Sequence, residues 1–319
     1  MPYLVGTDEA GYGPNLGPLL ISASAWHIPT DALGFDLYEH LSSVVTRETK
    51  PATDRFAIAD SKQLYKSRGS FAGLERAIFP VLASLGHRPR QWNAIWNTLA
   101  GDSGAHVQEL PWYRDYDEPL PVDTDWTEIE TLSDQLQATL SSTDIQLVSL
   151  RSVAVFPEQF NDMTDRLGSK GQALTTTTLE LLAEVLTDLK DDAIHITCDK
   201  HGGRNHYLPA LQQQFPDYLV EVRQESRPVS IYCWGPSQRR TEIRFQAKGE
   251  QFLPAALASL ASKYLRELAM RAFNTFWCGH DPQLQPTAGY PNDAKRVRRD
   301  IEHIQRDLGI ASKTLWRVK

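Results

Sequence analysis

Cysteine is scarce in these 319 residues: only Cys198, Cys233 and Cys278 occur, far apart and with no CxxC pair. An odd, scattered set argues against a disulfide framework or a zinc site and suits a reducing compartment. Long apolar runs are missing too. Nothing approaches the ~20 residues that span a bilayer, and the opening MPYLVGTDEA has no basic segment and is interrupted at Asp8. A cytoplasmic protein with no membrane partner is expected. Excess positive charge is also lacking. The net charge of −7 argues against coating nucleic acid by bulk attraction, though a local basic surface stays possible. There is no GxSxG elbow, and the GDSG around Ser103 is an isolated tetrapeptide, so serine-hydrolase chemistry finds little support. No internal repeat or low-complexity segment occurs.

What is present suggests an α/β protein. With 41% hydrophobic residues the chain can bury a substantial core, and its length allows one elaborated domain or two small ones. YLVGT, a glycine-rich turn and LLISASAWHI resemble a strand pair. SFAGLERAIFPVLASLG has helical periodicity ending at Gly86. IQLVSLRSVAVF and AIHITCDK are strand-like, and VEVRQES, PVSIYCW and TEIRFQAKG are three further strand candidates. GQALTTTTLELLAEVLTDLK is helical in its second half; its run Thr175–Thr178 suits a strand or a helix entry. A long helix is expected over 253–277 and a basic one over roughly 292–308. Residues 87–144 have a different texture, with four of the eight tryptophans, no lysine and the acidic run DYDEPLPVDTDW. They form an insertion expected to carry its own small apolar cluster.

Acidic residues recur at the ends of the strand-like runs: Asp8 and Glu9, Asp60, Asp199 and Glu250. Any one alone is an ordinary turn acid. Three or four converging on one sheet edge are the oxygen donors that Mg²⁺ or Mn²⁺ requires, and two such ions about 4 Å apart can hold both the attacking and the leaving oxygen of a phosphodiester. Neighbouring strand residues point to opposite faces, so Asp8 and Glu9 share a site only if the strand ends or bulges there; Gly11 and Gly13 offer such a break. Glycines also let a sugar-phosphate backbone approach the main chain, whose polar groups can then bond a ribose 2′-OH.

These residues carry a family resemblance. DEAGYGPNLGP resembles the DEAGRGPLAGP signature of the type 2 ribonucleases H (ribonuclease HII), and ADSKQL its DSKKL. AKGEQFLPAALASLASKYLRE resembles its KGD…AAASILAKVTRD, with Ser259, Lys263 and Arg266 in register. TAGYPNDAKRVRRDIEHIQRDLGIASKTLWR resembles its ending, and ITCDK stands where the family has a strand closing in VDG. The matches keep the family's order and span about two-thirds of the chain. The resemblance implies a ribonuclease H-like fold: a single domain over 1–319, with a mixed β-sheet flanked by helices, the 87–144 inserted subdomain and a C-terminal helical region. It implies a metal-dependent endonuclease cleaving RNA in RNA–DNA hybrids, or ribonucleotides embedded in DNA. Two Mg²⁺ or Mn²⁺ ions would be held by Asp8, Glu9, Asp199 and Glu250. Gly11, Tyr12 and Gly13 would form the ribonucleotide-recognising loop, Tyr290 would pack on the junction sugar, and Lys62 and Lys263 would contact phosphate or support the site. Three positions depart from the family: Tyr12 replaces an arginine, Glu250 an aspartate, and Lys200 a glycine, adding a cation beside Asp199.

Other candidates are weaker. His201 and His206 follow Asp199 and could relay a proton, although loop histidines are common. From Lys295 to Lys319 there are eight Lys or Arg against three acids, so 285–319 is expected to contact substrate; a solvated helix with i,i+4 pairs is the alternative. The acidic insertion is expected away from the duplex, and monomer is the default. Two other functions suit the same residues: a non-catalytic nucleic-acid-binding module, or a nuclease acting on DNA.

Overall fold

Seven strands form one mixed sheet in the computed structural model, which describes residues 1–317 apart from 30, 31, 33, 51–53, 67, 68 and 191. In chain order the strands are β1 (Tyr3–Ala10), β2 (Leu19–His27), β3 (Val45–Thr46), β4 (Phe56–Ala57), β5 (Gln146–Val155), β6 (Ile194–Asp199), β7 (Glu221–Glu225), β8 (Val229–Trp234) and β9 (Thr241–Gln246). The sheet order is β5-β2-β1-β6-β9-β8-β7, and β3 pairs with β4 apart from it. At its centre β1 is antiparallel to β2 and parallel to β6, and β6 is parallel to β9. The expected mixed sheet with flanking helices and a helical C-terminal region is therefore present.

Alternation in β2 explains why both faces are covered. Leu20 and Trp26 enter one hydrophobic cluster, while Leu19, Ile21, Ala23 and Ala25 enter the other. Between Leu20 and Trp26 the first face carries only Ser22 and Ser24. Their hydroxyls are satisfied by Ser152 at 2.7 Å, Ser262 at 2.8 Å and the Pro254 carbonyl at 2.8 Å. These small side chains let the long helix Leu253–His280 lie close. At Gly6 of β1 the approach is closest: a Cβ there would stand 2.0 Å from the Ala255 nitrogen. The other face is covered by the helix Lys170–Thr187. That helix begins earlier than its periodicity indicates and includes the threonine run. Thr175, Thr177 and Thr178 bond the carbonyls of Gly171, Ala173 and Leu174, four residues back, which satisfies their hydroxyls inside a helix.

The insertion differs from expectation. Its helices Trp92–Ala105 and Trp126–Thr143 have no core of their own. Trp92, Trp96, Trp112 and Tyr113 join the same cluster as Leu268, Phe273 and Trp277 of the long helix. The Trp92 indole N–H donates to the Leu268 carbonyl at 3.3 Å, and the Trp112 and Phe273 rings lie 5.5 Å apart. The reason lies in Leu253–His280, which is buried along most of its length. A helix apolar on nearly every side must be covered on every side, and the insertion covers the side the sheet leaves open. Buried Glu75 ties the two together, accepting N–H groups of Val122, Asp123 and Thr124 and the Tyr264 hydroxyl. Among the described residues no helix is long and apolar enough to cross a membrane.

Candidate active site

Pairing between β1 and β6 ends at Thr7–Cys198. Asp8 and Asp199 are the next residues on these two neighbouring parallel strands. On its other side Asp199 pairs with Gln246, the end of β9. The chain then turns through Lys248, at φ 65°, into the short 3₁₀ turn Gly249–Gln251. The turn sits against β6: the Gly249 amide is 3.4 Å from an Asp199 carboxylate oxygen. Glu250 thereby comes near enough for its charge to act on Asp8.

The expected break at the acid pair is absent. β1 stays paired with β2 through Asp8–Ser22, Glu9–Ile21 and Ala10–Leu20 without a shift of register. The left-handed residue is Gly11, at φ 89°, beyond the strand. It is the loss of β6 alongside, rather than a bulge, that frees Asp8 and Glu9 at the edge. Asp8 faces the long helix, where the Ser262 hydroxyl donates to its carbonyl at 3.1 Å and Ser259 hydrogen-bonds its carboxylate.

Burial raises the Asp8 carboxyl to about 7; the charges of Asp199 and Glu250 add to the rise, and the Ser259 hydroxyl and Glu9 amide oppose it. Burial, with Asp8 and Asp199, raises Glu9 to about 8, while Lys62 pulls it down. Among the described residues, no three acidic, histidine or cysteine side chains stand close enough to hold an ion as they lie. The backbone nonetheless brings four carboxylates to one sheet edge, and a carboxylate-only donor set suits a hard divalent cation. The raised proton affinity of Asp8 and Glu9 marks a place short of positive charge. In donor chemistry and electrostatics the residues fit Mg²⁺ or Mn²⁺.

The glycine loop stands beside the acids and divides into two parts. Gly11 is constrained from within: a Cβ there would lie 2.6 Å from the Pro18 carbonyl and 2.7 Å from Arg266 Nε. Gly13 is exposed, and a Cβ there would meet nothing within 4 Å. Between them, Tyr12 has the Lys170 ammonium 4.9 Å from its ring centre. Burial raises the Tyr12 hydroxyl, and the Glu9 charge adds to this. Tyr290 is exposed and opens the helix Pro291–Asp307. The carbonyl of the preceding Gly289 accepts the Asn15 amide at 2.8 Å, so Tyr290 adjoins the loop.

The remaining candidates separate. Lys62 is exposed and its charge reaches Glu9. The Lys263 ammonium is part-buried, bonded to Glu267 at 2.7 Å and 5.1 Å from the centre of the Tyr65 ring. Asp60 caps the helix Ser61–Leu64, accepting the Lys62 amide at 2.9 Å. Lys200 turns away from the acids: its ammonium is taken up by Asn205 Oδ1 at 2.8 Å and the Ser226 carbonyl at 2.9 Å. His201 is buried against Thr175, and desolvation holds it down to about 3. His206 is exposed and paired with Glu225. The Ser103 hydroxyl accepts the Ala154 amide within the fold. In the basic C-terminal segment Arg296, Arg299, Arg306 and Lys313 are paired with acids. Lys295 and Arg298 line a cavity of about 700 Å³ beside Asn15 and Pro291; Lys319 lies outside the described residues. Nothing in the sequence signals that the Ser262 hydroxyl bonds the Asp8 carbonyl or that the Arg317 guanidinium bonds the Gly11 and Gly17 carbonyls. Arg317 reads only as one cation of a basic run.

No family model matches the chain, and no curated protein does. Among solved structures it is similar to the ribonuclease H2 of Pyrococcus horikoshii OT3, at 13% identity and a TM-score of 0.43, over 98% of this chain and 92% of that one. It is also similar to the RNase HII of Archaeoglobus fulgidus, solved in a complex with PCNA, at 10% identity and 0.41, over 99% and 94%. A third is Bst-RNase HIII, solved with Mn²⁺, at 13% identity and 0.42, over 99% and 66%.

Proposed function

We propose that the chain is a metal-dependent endoribonuclease that cleaves the RNA strand of RNA–DNA hybrids, or ribonucleotides embedded in duplex DNA. The observation that carries this reading is the placement of Asp8 and Glu9 on β1, Asp199 at the end of neighbouring β6, and Glu250 in the turn bonded to Asp199, all at one sheet edge next to the glycine loop. These four would hold two Mg²⁺ or Mn²⁺ ions. Such ions, when bound, acidify a water and stabilise the charge on a departing oxygen. The chain's own residues supply position. The Ser259 hydroxyl orients the Asp8 carboxylate, and Lys62 adds a cation beside Glu9. The main chain at Tyr12 and Gly13 would meet a ribose 2′-OH, with Tyr290 packing on the adjoining sugar. Among the described residues of the 285–319 segment, Lys295 and Arg298 would meet phosphate, at a cavity that Asp162 and Asp165 also line, and the 87–144 insertion serves the core.

The test is a DNA duplex carrying one ribonucleotide, incubated with Mg²⁺ or Mn²⁺. Cleavage at that nucleotide, leaving 5′-phosphate and 3′-OH ends and reduced by at least ~10³-fold in Asp8→Asn, is expected. Binding without cleavage in either metal would replace the enzyme with a binding module. Equal cutting of all-DNA duplexes would replace the substrate.

A further inference from the structure

The loop from Gly11 to Pro18 is tied down from three sides. The Arg317 guanidinium donates one Nη to the Gly11 carbonyl and the other to the Gly17 carbonyl. The Arg317 amide donates to the Asn15 carbonyl at 3.0 Å, and Asn15 Nδ2 returns to the Arg317 carbonyl at 3.4 Å. Arg266, from the long helix, reaches the carbonyls of Leu16 at 3.5 Å and Ala288 at 3.0 Å. The Gly289 carbonyl accepts the amides of Asn15 and Leu16. Among the described residues no main-chain hydrogen bond is recorded for Tyr12 or Gly13. The main chain at Gly11, Asn15, Leu16 and Gly17 is bonded inward, while at Tyr12 the side chain packs against the core and Lys170.

Arg317 is itself held. It is buried, its guanidinium lies 4.9 Å from the centre of the Phe160 ring, and its neighbours are pinned to the helix Pro157–Leu167. Asn161 Nδ2 donates to the Trp316 carbonyl at 2.8 Å, and Thr314 donates to Glu158 at 3.1 Å. Burying a guanidinium with no carboxylate partner is costly; here one donor on each Nη spans the two ends of one loop, while Nε is buried without a partner. A planar fork presents two donors at a fixed spacing, whereas an ammonium is a compact charge on a flexible stem and does not hold that spacing.

We infer that Arg317 is a positioning residue: by bridging the Gly11 and Gly17 carbonyls it holds Tyr12 and Gly13 with their main-chain groups turned toward the substrate sugar. The sugar-reading part rests on the ribonuclease reading above; the clamp itself does not. The test uses the full chain with Arg317→Met and Arg317→Lys. Hydrogen exchange of the Asn15 and Leu16 amides, which are bonded to the Gly289 carbonyl, is expected to quicken by at least ~10-fold in Arg317→Met, while β6 and the long helix keep wild-type protection. On the ribonucleotide-bearing duplex, kcat should fall about 10- to 100-fold from misplacement of the loop, with KM changed less than about threefold. Arg317→Lys should lie between, and it carries the exchange measurement if the methionine variant does not fold. Unchanged loop exchange overturns the inference. So does protection lost throughout the protein, which would make the role merely structural, and so does a rise in KM alone. If the wild type leaves the duplex uncut, the nuclease reading falls, and exchange alone decides whether Arg317 clamps the loop.

Discussion

Gly11 and Gly13 look interchangeable in the sequence, yet they meet opposite surroundings. Gly11 takes a left-handed φ, and an added Cβ would strike the Pro18 carbonyl and Arg266. Gly11→Ala is therefore expected to cost stability, by about 2 kcal/mol or more in chemical denaturation. At Gly13 the backbone is unstrained and the space is open. Gly13→Ala should change stability by less than about 0.5 kcal/mol, while its methyl occupies the room a sugar needs. Cleavage of a ribonucleotide-bearing duplex should then drop at least ~10-fold. A Gly13→Ala protein that is fully active would remove the loop from the reading. Lys200 teaches a similar lesson: its place in sequence puts a cation beside Asp199, but its side chain leaves the acids for partners in the following loop. Residue identity was legible, and side-chain direction was not.

At the scale of elements, local pattern served well where it has a local cause. Strand-like apolar runs marked β1, β2, β5 and β6, and the left-handed Gly86 marks the end of the helix Ala72–Ser84. It failed where long-range packing decides. The tryptophan-rich insertion reads as a separate unit because nothing in its own sequence reveals that the long helix needs a cover. Trp96, fully buried in the shared cluster, tests this directly. Trp96→Ala should cost about 3–5 kcal/mol and leave one cooperative transition that includes the sheet. Two separable transitions would restore an independent subdomain. The bond network of Glu75 works the same way, since its contact with residues 122–124 crosses 47 to 49 positions of sequence.

For the molecule as a whole, the four acids set a balance between protons and cations. Asp8 and Glu9 have folded values raised to about 7 and about 8. A raised carboxyl contributes stability below its unfolded value, and this is lost as pH rises through the folded value. The metal-free protein should therefore lose thermal stability between pH 5 and pH 8, by up to ~1.4 kcal/mol per pH unit for each group. Millimolar Mg²⁺ or Mn²⁺ should raise Tm more at pH 8 than at pH 6, and a chelator should reverse the gain. An absence of any cation-dependent shift at both pH values would argue against a metal centre. The clustering of these acids was legible as strand ends meeting one edge. The means was not: β6 stops pairing before Asp8, whereas the sequence suggests that β1 itself ends or bulges at the acid pair.

The contact of Gly6 with Ala255 has one more consequence. Central strand and buried helix touch backbone to backbone, which fixes the main chain under Asp8 and Ser259. If the acids hold a cation as proposed, stripping and reloading it should thus require only side-chain rotations. Recovery after a chelator is removed should keep pace with mixing and show no lag from chain reorganisation.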